Sequence, residues 1–316
     1  MVDDLSKAAV VGALLKIDVG NPNAGWPEGI VTVIKKVERP DGKTHPYISG
    51  QALRRYIRDT LKELKDVKAG EFSPLKKTEK KKAPTVTEGD PKKYLDDDLF
   101  GYMLEDRRRE SPLRVAPAFG LFPYTGDRDL GTKSYLEVTG ELGGAMFETE
   151  LTNNLFRTVI LLELDRVGTW KGYEAKSEKE MKVPEKERQR RASLLFESLK
   201  YLWGGARRTR FLVDLTPQFI VYARMKQKVP LFLHALQVDF KDGNYVLRLE
   251  PLHESVKDYK ESIQKLVIGI REGSLGNLDA IKKFSVENLD IEISSVGGAL
   301  DKMRDDICKA KFASSS

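Results

Sequence analysis

Residues 46–58, Pro46-Tyr47-Ile48-Ser49-Gly50-Gln51-Ala52-Leu53-Arg54-Arg55-Tyr56-Ile57-Arg58, read as an extended segment turning into a helix. Ser49 is a good N-cap, because its hydroxyl can accept from a first-turn N–H. Leu53, Ile57, Leu61 and Leu64 recur at helical spacing and form one apolar stripe. Arg54, Arg55 and Arg58 lie off that stripe, with Arg54 and Arg58 one turn apart on the same side. The helix start offers unpaired N–H groups at Gly50, Gln51 and Ala52, and its dipole favours an anion. Two readings follow: a phosphate cradle with cationic arms, or a capped amphipathic helix with a solvated basic face.

Working outward, Ala8–Val19 reads as a strand. Ala9, Val11, Ala13, Leu15, Ile17 and Val19 are apolar, and the alternate positions turn polar at Lys16 and Asp18. A short strand over Ile30–Val37 ends at Pro40-Asp41-Gly42. Residues 67–120 lack sustained periodicity and read as a long insertion with one ordered piece around Tyr94–Leu104. Leu155–Asp165 reads as a strand, with Phe156, Thr158, Ile160, Leu162 and Leu164 on one face. A basic helix from Lys186 to Trp203 buries Leu195, Leu199, Leu202 and Trp203, and Gly204-Gly205 stops it. Thr209–Leu215 reads as a strand that Pro217 ends. With a pair of strands within 131–165, the order is βαββαβ. That is an α+β chain with the ferredoxin-like topology of RNA-recognition motifs, carrying an insertion after the first helix. A hairpin over 230–250 about Lys241-Asp242-Gly243-Asn244 and amphipathic helices near 253–271 and 297–311 are accessory. The whole of 1–316 reads as a single domain, with Ser314–Ser316 a frayed end.

The chain has 316 residues, with 54 Lys and Arg against 48 Asp and Glu, a net charge of +6. Apolar residues at 40% and charged residues at 32% suit a packed core and exclude a disordered or membrane-spanning chain. The acidic start, Met-Val-Asp-Asp, lacks a signal-peptide pattern. Cys308 alone excludes an internal disulfide and fits a reducing cytoplasm. Three histidines (His45, His234, His253) and one cysteine leave no His/Cys metal site. His234, in an apolar run, reads as a hydrogen-bonded core residue. Asp96-Asp97-Asp98 are consecutive and so point different ways. They read as a solvated turn or helix start rather than a metal site. Gly42-Lys43-Thr44 has Val37 where a phosphate-binding loop needs glycine. No cofactor motif is present.

The basic charge is clustered. Residues 35–58 carry seven Lys/Arg (35, 36, 39, 43, 54, 55 and 58) against Glu38 and Asp41. The run 76–93, rich in Lys with Pro, Thr and Gly, reads as a flexible loop. Residues 186–210 hold eight Lys/Arg against Glu187 and Glu197. Each cluster alone fits a solvated surface. The first differs because it surrounds a helix start.

The 46–58 stretch resembles the helix signature of the repeated backbone subunit of type I CRISPR surveillance complexes, the "Cas-seven" family, in its DevR-type subfamily of type I-B systems. The resemblance covers most of the chain. It includes Pro46–Gln51 with Leu53-Arg54-Arg55 and Arg58, then Asp98-Leu99-Phe100-Gly101-Tyr102-Met103, Gly140–Gly144 and Phe147-Glu148. It continues through Thr152-Asn153-Asn154-Leu155-Phe156 and Arg191 to Pro217, including the Gly204-Gly205 break. The resemblance implies a modified RNA-recognition-motif palm, a fingers insertion within 67–120 and a thumb β-hairpin within 121–150. Copies stack head to tail along a guide RNA (crRNA). Ser49, Gln51, Arg54 and Arg55 match the RNA-contacting helix start, with Arg58 beside them. The expected RNA-binding set also takes in Asn21, Lys35, Lys36, Asn154 and Arg157. Met146 and Phe147 are the thumb residues expected to displace a base. The alternative is that both are core residues of the following strand. Aromatic signatures of ordinary RNA-recognition motifs are lacking, so base stacking on the sheet is not expected.

The expected function is a non-catalytic, cytoplasmic RNA-binding subunit of a type I-B Cascade complex in antiviral defence. It holds guide RNA by phosphates and leaves the bases to pair with target DNA. The expected partners are further copies of itself, large and small subunits, and Cas-five-type and Cas-six-type proteins, with no cofactor, metal or membrane. Two rivals stand beside it. Backbone subunits of type III complexes cut RNA with an aspartate in the loop where Asp41 lies, although Arg39-Pro40-Asp41-Gly42-Lys43 is also an ordinary turn. A DNA-binding regulator is the other, without a visible helix-turn-helix.

Overall fold

The computed structural model describes residues 5–77, 85–136, 142–175 and 181–313. Part of the run expected as a flexible loop, 78–84, and the expected frayed end, 314–316, lie outside the described residues. The main sheet has nine strands: β1 (Ala8–Gly20), β2 (Lys36–Glu38), β3 (Thr44–Ile48), β4 (Leu113–Val115), β5 (Ala118–Gly120), β6 (Thr152–Glu163), β7 (Pro217–Met225), β8 (Ile263–Ile270) and β9 (Ile291–Ser294). Their order is β9-β8-β7-β1-β6-β5-β3-β2, and β4 also pairs with β6. All pairs are antiparallel except β8 with β9. The α-helices among the described residues are α1 (Gly50–Glu63), α2 (Leu95–Phe100), α3 (Glu185–Ser198), α4 (Leu249–Asp258), α5 (Leu278–Lys282) and α6 (Val296–Lys309).

β1 takes the centre because both of its faces can be buried. Ala9, Val11, Ala13, Leu15 and Ile17 join a core with α1, α3 and α6. Ala8, Val10 and Leu14 join a second core, closed by Phe232, Leu236, α4 and α5. Outside the sheet, Arg128–Leu136 and Leu142–Glu150 pair as a two-stranded ribbon, which Val31–Thr32 joins at its base.

Several expectations change. Residues 113–120 supply β4 and β5 to the main sheet rather than to the insertion, and 131–136 belongs to the ribbon. At three residues each, β4 and β5 are too short to show a period. Within 209–215 only Val213–Asp214 is extended, paired with Trp203–Gly204. The long strand begins at Pro217, where the first position has no ladder N–H to lose. The helix expected over 253–271 stops at Asp258, and 263–270 is β8. Between β7 and β9 that strand is buried on both faces, so its apolar run has no alternation to mark it. α3 ends at Ser198, a 3-10 turn follows, and Trp203 is 40% exposed rather than buried. His234 is exposed, in a turn.

The three aspartates of α2 are buried, not solvated. Pointing different ways, they reach different partners. Asp98 pairs with Arg109 at 2.6 Å and Arg191 at 3.0 Å, and accepts the Gly168 N–H at 2.8 Å. Asp96 pairs with Arg58, and Asp97 accepts the Asp90 N–H at 2.9 Å. They tie the insertion to α1 and α3. Among the described residues no group of three His, Cys, Asp or Glu is placed to hold a metal ion. No helix there is long and apolar enough to cross a membrane.

Candidate nucleic-acid interface

The start of α1 is held from three sides. The Ser49 hydroxyl accepts the Ala52 N–H at 3.3 Å, so only Gly50 and Gln51 keep first-turn N–H groups without a helical acceptor. The Ser49 N–H donates to Asn23 Oδ1 at 2.9 Å. Gly50 has to be bare, because a Cβ there would stand 2.2 Å from the Val115 carbonyl oxygen. Gln51 is exposed beside it.

The expected arginines separate into different situations. Arg54 is half-buried, donates to the Phe100 carbonyl at 2.6 Å, and has no carboxylate partner among the described residues. Burial, and then the charge of Arg114, lower its pKa. It opens with Gly50, Gln51, Arg114 and Lys228 onto a groove of about 1010 Å³. Arg55 is exposed and, among the described residues, paired only with Asp59, at 2.8 Å. Arg58 is spent on Asp96 and stacks over Phe72.

The other expected residues are mostly engaged in the fold. Lys36 pairs with the buried Glu150 at 2.7 Å, and the same carboxylate accepts the Ile34 N–H at 2.9 Å, fixing the ribbon base. Asn154 clips the Phe122 backbone, donating to its carbonyl at 2.7 Å and accepting its N–H at 3.2 Å. Asn21 is buried, and its carbonyl accepts the Ala206 N–H at 2.8 Å. Arg157 donates to the Leu236 carbonyl at 3.1 Å. Lys35 is half-exposed, and its carbonyl accepts the Tyr47 N–H at 2.9 Å. Asp41 accepts the Lys43 N–H at 3.1 Å, closing the turn on itself.

Met146 and Phe147 lie on opposite faces of the ribbon, outside both cores. Met146 is 59% exposed. Phe147 covers Gly131, its cross-strand partner, where a Cβ would stand 2.3 Å from the ring. The core reading of these two residues therefore fails.

The sequence reading missed the loop after the Gly204-Gly205 break. Hung from Asn21 by Ala206, it carries Arg207, Arg208 and Arg210. Arg207 donates to Thr32 Oγ1 at 3.1 Å. Arg208 lies over the rings of Tyr56, at 5.5 Å, and Trp203, at 5.0 Å. Arg210 pairs with Asp129 of the ribbon and lies over Phe147 at 4.5 Å. The signal was present as Ala206-Arg207-Arg208-Thr209-Arg210, but it was counted with α3. There Arg188 and Arg191 are buried structural ions. Arg208 thus joins this basic loop to the second turn of α1, the helix whose start keeps two N–H groups without a helical acceptor, and both features can hold the phosphates of a nucleic-acid strand.

A family model described as "CRISPR-associated negative auto-regulator DevR/Csa2" matches residues 29–245. That span contains α1, the ribbon and the arginine loop. No curated protein matches the chain at a significant level. The chain is similar in fold to a solved structure described as "CRISPR RNA-guided surveillance complex, pre-nicking", with a TM-score of 0.57 and 12% identity over 95% of this chain and 100% of that one. A second, described as "CRISPR RNA-guided surveillance complex", gives 0.54 and 14% over 94% and 98%.

Proposed function

The chain belongs to the DevR/Csa2 family of CRISPR-associated proteins, and on that premise we propose that it is a guide-RNA-binding backbone subunit of a Cascade-type surveillance complex, of the type I-B class. Copies stack along the guide and leave its bases free to pair with target DNA. Other Cascade subunits, large, small, Cas-five-type and Cas-six-type, join them. The observation that carries the reading is the loop 206–210, hung from the Asn21 carbonyl and laid by Arg208 over Tyr56 of α1. Phosphates meet the Gly50 and Gln51 N–H groups, Ser49, Arg54 and Arg55 on one side, and Arg207 and Arg208 on the other.

The order β7-β1-β6-β5, with α1 and α3 packed on one face, supports a ferredoxin-like palm of the RNA-recognition-motif kind. The ribbon is its thumb, and 67–112 form its fingers. The second core covers most of the opposite sheet face, which favours backbone over base recognition. The subunit is non-catalytic, and the closed turn at Asp41 supports that reading.

The test is the nucleic acid carried by purified protein. The parent should bring an RNase-sensitive band of guide length. Arg207→Ala/Arg208→Ala should lose most of it, and the salt slope of RNA binding should fall by about 1.4, at roughly 0.7 per single-strand phosphate contact. Unchanged RNA content and slope in a folded variant would sink the assignment. The family description also names auto-regulation, and a gel shift of duplex DNA by the free subunit would separate that reading.

A further inference from the structure

The second core does not cover the whole of its sheet face. Leu14, Arg157, Phe119 and Tyr47 are successive cross-strand partners on β1, β6, β5 and β3, so they form one row on one face. The cover reaches Leu14 and ends where Arg157 donates to the Leu236 carbonyl. Beyond it Phe119 and Tyr47 are half-exposed. From Tyr47 to Arg157 the row spans two strand spacings, roughly 10 Å.

Two guanidiniums face this strip without a counter-charge. Arg39 lies over the Phe119 ring at 5.7 Å, with His45 stacked on the same ring at 5.1 Å. Neither Arg39 nor Arg157 has a carboxylate partner among the described residues. Burial lowers the pKa of Arg157, and the charge of Arg39 adds to that effect. Two adjacent cations that repel each other are stabilised by an anion between them. Tyr47 has no ring or cationic partner among the described residues, which leaves a flat surface free in the same row.

We propose that this strip binds single-stranded nucleic acid, with phosphate on Arg39 and Arg157 and a base stacked on Tyr47. It rests on the nucleic-acid reading of the chain but uses none of the residues at the α1 edge. A duplex hides its base faces, so the ligand is a single strand. Guide RNA and a second, unpaired strand share this chemistry.

The experiment measures anisotropy of labelled 12-nucleotide oligo(U) RNA and oligo(dT) DNA. It uses the full chain in two backgrounds, loaded with guide RNA and carrying Arg207→Ala/Arg208→Ala. In the second background, Arg39→Gln/Arg157→Gln should weaken binding at least tenfold and lower the salt slope by about 1.4. Tyr47→Leu should weaken it about fivefold or more, and Tyr47→Phe should restore it, because the ring is what stacks. The exposed Arg39→Gln alone should give about half the change in slope, which guards against misfolding at Arg157. Loss of oligo(dT) from the guide-loaded protein assigns the strip to a second strand. Loss of the guide itself assigns it to the guide, and either result supports the proposal. Unchanged affinity and slope in both backgrounds overturns it. A parent that binds the 12-mers through this strip yet retains no guide RNA would instead overturn the guide-RNA reading and leave the strip standing.

Discussion

The guanidinium of Arg210 lies 4.5 Å from the ring centre of Phe147, and that ring also covers the bare backbone of Gly131. The ribbon is thus latched to the arginine loop by a residue from neither core. Phe147→Ala should cost roughly 1–2 kcal/mol in the RNA-free subunit, the scale of a cation–π contact. Phe196→Ala, which empties a fully buried site, should cost about 3–5 kcal/mol. Urea unfolding of both variants checks the contrast. Equal losses would place Phe147 in a packed core.

Neighbouring aspartates of α2 should respond in opposite ways. Asp98 neutralises two buried arginines, so Asp98→Asn should cost about 3–5 kcal/mol. Asp97 has no cationic partner among the described residues, and burial raises its pKa. A raised folded pKa means that this group's contribution to stability declines as pH climbs above the ordinary carboxylate range. Asp97→Asn removes that decline. Measured against the parent, the variant should therefore fare better at pH 7 than at pH 4. A relative loss that grows with pH would contradict the assignment.

Arg55 and Arg58 separate binding from folding on one helix. Arg55→Ala gives up only a surface ion pair, about 0.3–0.5 kcal/mol, and should lower the RNA salt slope by about 0.7. Arg58→Ala leaves Asp96 buried without its charge and should cost about 1.5–3 kcal/mol, with the slope unchanged. Thermal melts and salt titrations on the same two variants decide it. A slope change at Arg58 with normal stability would reverse the roles.

Assembly should follow RNA length. A thumb contacting a different face of its neighbour makes a heterologous interface, which grows open-ended unless its rotation closes a ring. Native mass measurement should show copy number rising with the guide supplied. A two-fold dimer insensitive to RNA would contradict this.

Long periodic elements were legible from sequence. Ser49 caps α1 as its residue type suggests, and the turn at Asp242-Gly243 sits between paired strands. Elements of three residues, such as β4 and β5, gave no period to read. β8 was mistaken for helix because burial on both faces removes alternation. At the site, residue type located the helix start but could not say which cations were already neutralised. Arg58 and Lys36 look as available in sequence as Arg55, yet buried carboxylates claim them. Arg207, Arg208 and Arg210 went unread because their charge was pooled with α3, whose Arg188 and Arg191 are buried.

The loop after β1 fastens two things at once. Asn23 holds the N–H of Ser49, while the carbonyl of Asn21 holds Ala206. Two segments about 155 positions apart in the chain therefore share one short mount, and neither can shift without dragging it. Of the four groups only Asn23 Oδ1 belongs to a side chain, so residue 23 is where a substitution would loosen the mount. A transplant of the arginine loop onto a related scaffold would keep its aim only if this mount travelled with it.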